Sequence, residues 1–144
     1  MLLGILSSII SGISMSIQGI FNTRLSEKIG LLETNAIVQG TAFLITLIMA
    51  IGLGKGNIQN IKLCRKIYLL GGLLGVVITF TVMYSIRFLG VTHSIAIILV
   101  SQIIMALLID YFGLFDSKNI KFNFHEIIGI CFLIAGIIIL KWKS

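Results

Sequence analysis

The sequence predicts an all-α integral membrane protein with five transmembrane helices, and three observations lead there. The 144 residues are 58% hydrophobic and 11% charged, more apolar surface than a soluble domain of this length buries. From Phe88 to Ile109 the chain carries no formal charge over 22 residues. At about 1.5 Å of rise per residue that is roughly 33 Å of helix, enough to cross a hydrocarbon core of about 30 Å. The third observation is repetition: four further apolar runs alternate with short polar segments. They give approximate spans 2–23, 34–54, 67–87, 91–113 and 124–142 in a single membrane domain, residues 1–144.

The first span begins at the initiator methionine and lacks a basic leader, and its apolar run is too long for a signal-peptide core, so it is expected to stay as a helix. Gly4, Ser8, Ser11, Met15, Gln18 and Asn22 recur every three or four residues, a small-and-polar stripe of the kind found at helix contacts. Gln18 and Asn22 place two carboxamides one turn apart. They either bond a neighbouring helix or line a path for a solute. Arg24 to Glu33 reads as a polar connector broken at Gly30.

Across the second span Asn35, Gln39, Ala42, Thr46 and Ala50 repeat the stripe, with the same two readings. Lys55 to Lys66 is a basic loop. In the third span, Gly71, Gly75 and Thr79 form a small-xxx-small ladder, suited to close helix packing. About four residues are expected between the end of that span and the central helix. The central helix carries Gln102, Ala106 and Asp110 at i, i+4 and i+8, all on one side. A carboxylate and a carboxamide on a membrane helix are expensive unless they face protein or water. His93 near its start reads as interfacial and neutral. Asp110 is expected to bond Gln102, to be wetted at the headgroup level, or to meet an arginine of a partner chain. Asp116 to Glu126 is a mixed-charge loop, and the last apolar run, Ile127 to Leu140, becomes a fifth span when its flanks are counted. Gly129 and Gly136, one heptad apart, fit a packed helix. Tyr68, Tyr111, Phe112 and Trp142 stand at helix ends, where an aromatic belt is expected.

The net charge of +6 comes from lysines and arginines between apolar runs, so nucleic acid is not an expected partner. The lipid bilayer is. Cys64 and Cys131 have no metal-like spacing, and neither metal nor cofactor is expected. No G-x-S-x-G, H-E-x-x-H or phosphate loop is present, and His125 beside Glu126 is a loop pair, so no catalytic residues are assigned and an enzyme is not expected.

Lysine and arginine are nearly balanced across the two sides that five spans create. One side carries Lys55, Lys62, Arg65, Lys66, Lys118 and Lys121; the other carries Arg24, Lys28, Arg87, Lys141 and Lys143. The positive-inside rule needs a clear excess to fix orientation. Two chains inserted in opposite senses would make one half each of a ten-helix inverted-repeat unit, the architecture common in secondary transporters. In such an antiparallel homodimer, or a heterodimer with a sibling subunit, Arg24 or Arg87 of one chain reaches the depth of Asp110 of the other.

Several segments together carry a resemblance: SIQGIFNTRL at 16–25, GGLLG at 71–75, LGVTHSIAIILVSQ at 89–102, LLIDYFGLF at 107–115 and IIGICFLIAGIIIL at 127–140. They resemble the YdcZ-like family of the drug/metabolite transporter (DMT) superfamily, small bacterial inner-membrane exporters. The most specific parts are Gln-Gly followed by Asn, and Gln followed by Asp-x-Phe-Gly. The resemblance implies a five-helix half of a ten-helix transporter, with members occurring singly, as paired genes or as fused duplicates. The small multidrug resistance proteins of the same superfamily use a glutamate midway along their first helix. Here that region reads Ser11, Gly12, Ser14, so proton coupling through a central glutamate is not expected. Gln18, Asn22, Asn35, Gln39, Gln102 and Asp110 are the substrate-path candidates, and a site lined by such amides suits a neutral polar or zwitterionic solute. The rival expectation is a non-transporting structural or accessory subunit whose amide stripes only join helices.

Overall fold

The computed structural model describes residues 2–117 and 123–141, and the long elements among them are all α-helices. In chain order they are α1 (Leu2–Ile29), α2 (Leu31–Leu53), α3 (Gly71–Leu89), α4 (Val91–Phe112) and α5 (Phe124–Lys141). Helices α1, α2 and α4, and α3 together with the 3-10 turn that leads into it from Lys66, are long and apolar enough to span a membrane. The fifth, α5, is shorter at 18 residues, about 27 Å of helix. Lys118 to Phe122 of the mixed-charge loop, and Trp142 and Lys143 beyond α5, lie outside the described residues.

Three boundaries differ from the sequence expectation. Arg24 to Ile29 is the last turn and a half of α1, not a connector, and only Gly30 interrupts the helix before α2. The physical reason is that nothing between Arg24 and Ile29 breaks a helix. Arg24 also pairs with Glu27 one turn on, at 3.1 Å. The third span opens with a 3-10 turn, Lys66–Leu70, before α3 proper begins at Gly71. And α3 runs past Arg87 to Leu89, leaving a single residue, Gly90, before α4 instead of about four.

Gly30 (φ 101°, ψ 158°) and Gly90 (φ 77°, ψ 168°) share a backbone conformation that L-residues essentially do not adopt, which is how one residue can separate two long helices. The carbonyl of each accepts a hydrogen bond from the amide four residues on, Thr34 at 3.1 Å and Ser94 at 3.2 Å. Both of those residues are fully buried.

The chain divides into two compact units, Met1–Phe88 and Leu89–Ser144. In the first, α1 and α2 pack together and α3 touches both. Its core is small. Met83 and Ile86 of α3 are the only buried large hydrophobic residues among those described, while leucine, isoleucine and phenylalanine cover the outside. That inside-out distribution suits a lipid surround, where apolar side chains need no protein cover. At Gly19 side chains of α3 come close to α1: a Cβ there would lie 2.8 Å from Ile86 Cδ1 and 3.4 Å from Val82 Cγ1. In the second unit α4 packs on α5. An apolar groove of about 460 Å³ runs between them, with Leu99 and Val100 on one wall and Phe132 and Gly136 on the other.

Candidate functional site

The first unit buries polar residues where a soluble protein would bury apolar ones. Asn22, Thr23 and Ser26 of α1 and Thr34 and Asn35 of α2 are all buried, on either side of the Gly30 junction. A hydroxyl in hydrocarbon needs a partner, and a helix supplies one in its own backbone. Thr23 accordingly donates to the Gly19 carbonyl at 2.7 Å, and Ser26 to the Thr23 carbonyl at 2.7 Å. Thr41, Thr46, Thr79 and Thr81 do the same one turn back. Thr34 does not. Its Oγ1 is buried and has no hydrogen-bond partner among the described residues, and the same holds for Asn35 Oδ1.

Two of the sequence-predicted amides join α2 to α3. Asn35 Nδ2 donates to the Val76 carbonyl at 2.9 Å, and Gln39 Nε2 donates to Thr79 Oγ1 at 3.1 Å. Thr79 in turn donates to the Gly75 carbonyl at 2.9 Å, a relay from one helix into the backbone of the next. The amide lies beside Gly75, where a Cβ would make an ordinary van der Waals contact with Gln39 Nε2 at 3.6 Å. Among the described residues no such neighbour lies within 4 Å of a Cβ at Gly71, Gly129 or Gly136.

The remaining candidates are placed differently. Gln18 is exposed, although the next residue, Gly19, is buried against α3. Asn22 is buried beside the junction. In the second unit Gln102 is exposed at mid-span of α4, and Asp110 is half-buried in its last turn. No hydrogen bond joins Gln102 to Asp110 among the described residues. His93 is half-buried with its Nε2 enclosed and unpartnered among the described residues. Arg87 is exposed near the end of α3, and Arg24 is engaged with Glu27.

Sequence reasoning gave no structural role to Gly19, beyond its place in the Gln-Gly motif, or to Thr23, Ser26 and Thr34. The first three fall at i, i+4 and i+7 and continue the face that holds Asn22, a signal readable in the sequence once α1 is allowed to run past Thr23. Among the described residues no group of three or more histidines, cysteines and carboxylates gathers as a metal site would require.

Four helices long and apolar enough to cross a membrane, with a shorter apolar fifth, define a multi-pass membrane protein. The model of the family described as "Putative inner membrane exporter, YdcZ" matches residues 3–139, and the chain belongs to that family, which places it in the inner membrane. No curated protein and no solved structure matches it.

Proposed function

We propose that the protein is one half of a ten-helix secondary transporter that exports small polar solutes by alternating access. The other half is a second copy, or a sibling subunit, inserted in the opposite sense. The observation that carries this reading is the pair of carboxamides at Gln18 and Gln102, both within apolar spans and both exposed on the chain. A carboxamide facing lipid tails leaves donors and acceptors unmet at a cost of several kcal/mol. Those faces therefore belong against protein or a wet cavity that a single chain does not enclose. Near-balance of Lys and Arg on the two sides supports opposed insertion. In the opposed pair, Arg87 of one copy comes level with Asp110 of the other.

Gln18→Leu tests it. Transport in reconstituted vesicles is expected to be lost while cross-linked dimers persist. Loss of the dimer together with transport would make Gln18 an assembly contact and remove the solute path. Reporter fusions at the C-terminus should report both orientations, and a single orientation would rule out the homodimer. A second reading, a structural or accessory subunit, is favoured by Asn35 and Gln39, which are committed to α3 rather than turned toward a cavity.

A further inference from the structure

Every residue from Thr41 to Leu74 is exposed, so little protein covers the far half of α2, the start of α3 or the chain between them. Packing in the first unit is confined to the Gly30 end, where Asn22, Thr34, Met83 and Ile86 are buried. The connector at the open end is nonetheless ordered by bonds of its own. A 3-10 turn, Ile58–Leu63, starts where Asn57 Oδ1 accepts from the Gln59 amide at 2.9 Å, and a second, Lys66–Leu70, leads into α3. Neither turn buries a residue.

Two properties meet in this connector. Lys55, Lys62, Arg65 and Lys66 are cationic, and the sequence holds no aspartate or glutamate between Glu33 and Asp110 to offset them. Alongside them Ile58 is 81% and Leu63 84% exposed, with Ile61 and Ile67 also uncovered. A 3-10 helix has three residues per turn, so Ile58 and Ile61 share one ridge and Gln59 and Lys62 the next. The Arg65 guanidinium lies 5.9 Å from the centre of the Tyr68 ring, and tyrosines favour the level of lipid headgroups. The connector also joins two spans, one ending at Leu53 and the next beginning at Lys66, which puts it at the membrane surface.

We infer that residues 55–70 form a docking surface for the headgroup of an anionic phospholipid. Lys62, Arg65 and Lys66 meet its phosphate, and Ile58, Ile61 and Leu63 enter the acyl boundary. The inference goes beyond transport and holds whether or not the chain moves a solute. Uncompensated positive charge selects an anionic lipid over a zwitterionic one. The uncovered isoleucines and leucine select a lipid over a nucleic acid or a free anion, neither of which shields apolar surface from water. Lipid then holds the end of the α2–α3 hairpin that protein contacts leave open.

An environment-sensitive fluorophore on Cys64, which is exposed within the segment, reads the contact in a Cys131→Ser background. The full chain is reconstituted in vesicles of palmitoyl-oleoyl phosphatidylcholine, alone or mixed with increasing fractions of palmitoyl-oleoyl phosphatidylglycerol. Emission is expected to move to the blue as phosphatidylglycerol rises, and then to saturate. Each basic side chain near an anionic surface strengthens binding about fivefold, so Lys62→Gln, Arg65→Gln and Lys66→Gln together should abolish the response. Lys28→Gln, on the last turn of α1, should leave it intact. Salt at about 1 M, where the screening length is about 3 Å, should diminish it, and an undiminished response would refute selection by charge. Equal emission in both lipids, a triple variant that behaves like the native chain, or an effect of Lys28→Gln as large as that of the triple variant would each overturn the assignment. So would the same shift from inorganic phosphate in pure phosphatidylcholine, the mark of a free-anion site. A shift that grows with the protein-to-lipid ratio would overturn it too, because a second copy would then be the occupant.

Discussion

Replacing Gly19 with alanine probes a close contact between α1 and α3. The added methyl would lie 2.8 Å from Ile86 Cδ1, where carbon atoms ordinarily rest about 3.5 to 4.0 Å apart. Something must yield by roughly 0.7 Å or more. Ile86 has little free space, being 4% exposed, so either its side chain leaves its rotamer or the two helices separate. Overpacking of this kind costs about 1 to 3 kcal/mol, against which alanine gains about 0.8 to 1.0 kcal/mol over glycine inside a helix. The expected net destabilisation is about 0 to 2 kcal/mol, too broad a range to decide anything alone. The double-mutant cycle with Ile86→Val decides it, because that change deletes the offending Cδ1. Ile86→Val by itself should cost about 0.5 to 1.5 kcal/mol. Combined with Gly19→Ala, the clash vanishes and the pair should be more stable than the sum of the singles by about 1 to 2 kcal/mol. Reversible denaturant unfolding in detergent micelles measures all four corners. Additivity within about 0.5 kcal/mol would mean that the two helices do not meet at Gly19, and the packing of the first unit would be wrong.

Gln39→Leu and Thr79→Val remove the same interhelical bond, so each should cost about 0.6 kcal/mol and the double mutant scarcely more than either; a fully additive loss would show that the two side chains are not partners. Gly30→Ala and Gly90→Ala should each cost about 1 to 3 kcal/mol from backbone strain alone. The Gly30 change should be the worse of the two, because the Glu33 carboxylate occupies the space a Cβ would take there while nothing lies within 4 Å at Gly90. Glu33→Ala should recover the difference and leave the strain, which the same unfolding assay would resolve.

The helical class and the five apolar segments follow from composition and run length, because a hydrocarbon solvent dictates both. The boundaries were less legible. Arg24, Glu27 and Lys28 look like a loop by charge, yet they are sound helix formers in an element already under way, and charge says little about where a helix stops. Only a glycine in a conformation closed to other residues ends it. Amide periodicity in α2 left Asn35 and Gln39 as either a helix contact or the lining of a path, and could not name α3 as the helix they bond, which depends on tertiary packing. Beyond Gln39 the same stripe, Thr46 and Ala50, is exposed. Thr34 was invisible because a threonine at a span's edge is ordinary; what distinguishes it is a hydroxyl that fails to bond its own helix, and that is a property of coordinates.

The single-residue link at Gly30 also bears on how the chain enters the membrane. A segment with no slack cannot present a loop on which the insertion machinery could sort two spans independently. Once the first helix commits to a direction, the second is bound to the opposite one. Arg24 and Lys28, fixed on the final turns of the first helix, therefore vote on the orientation of both together. A single charge reversal at either position should tip the whole leading hairpin, giving one nascent protein an unusually simple handle on which way up it settles.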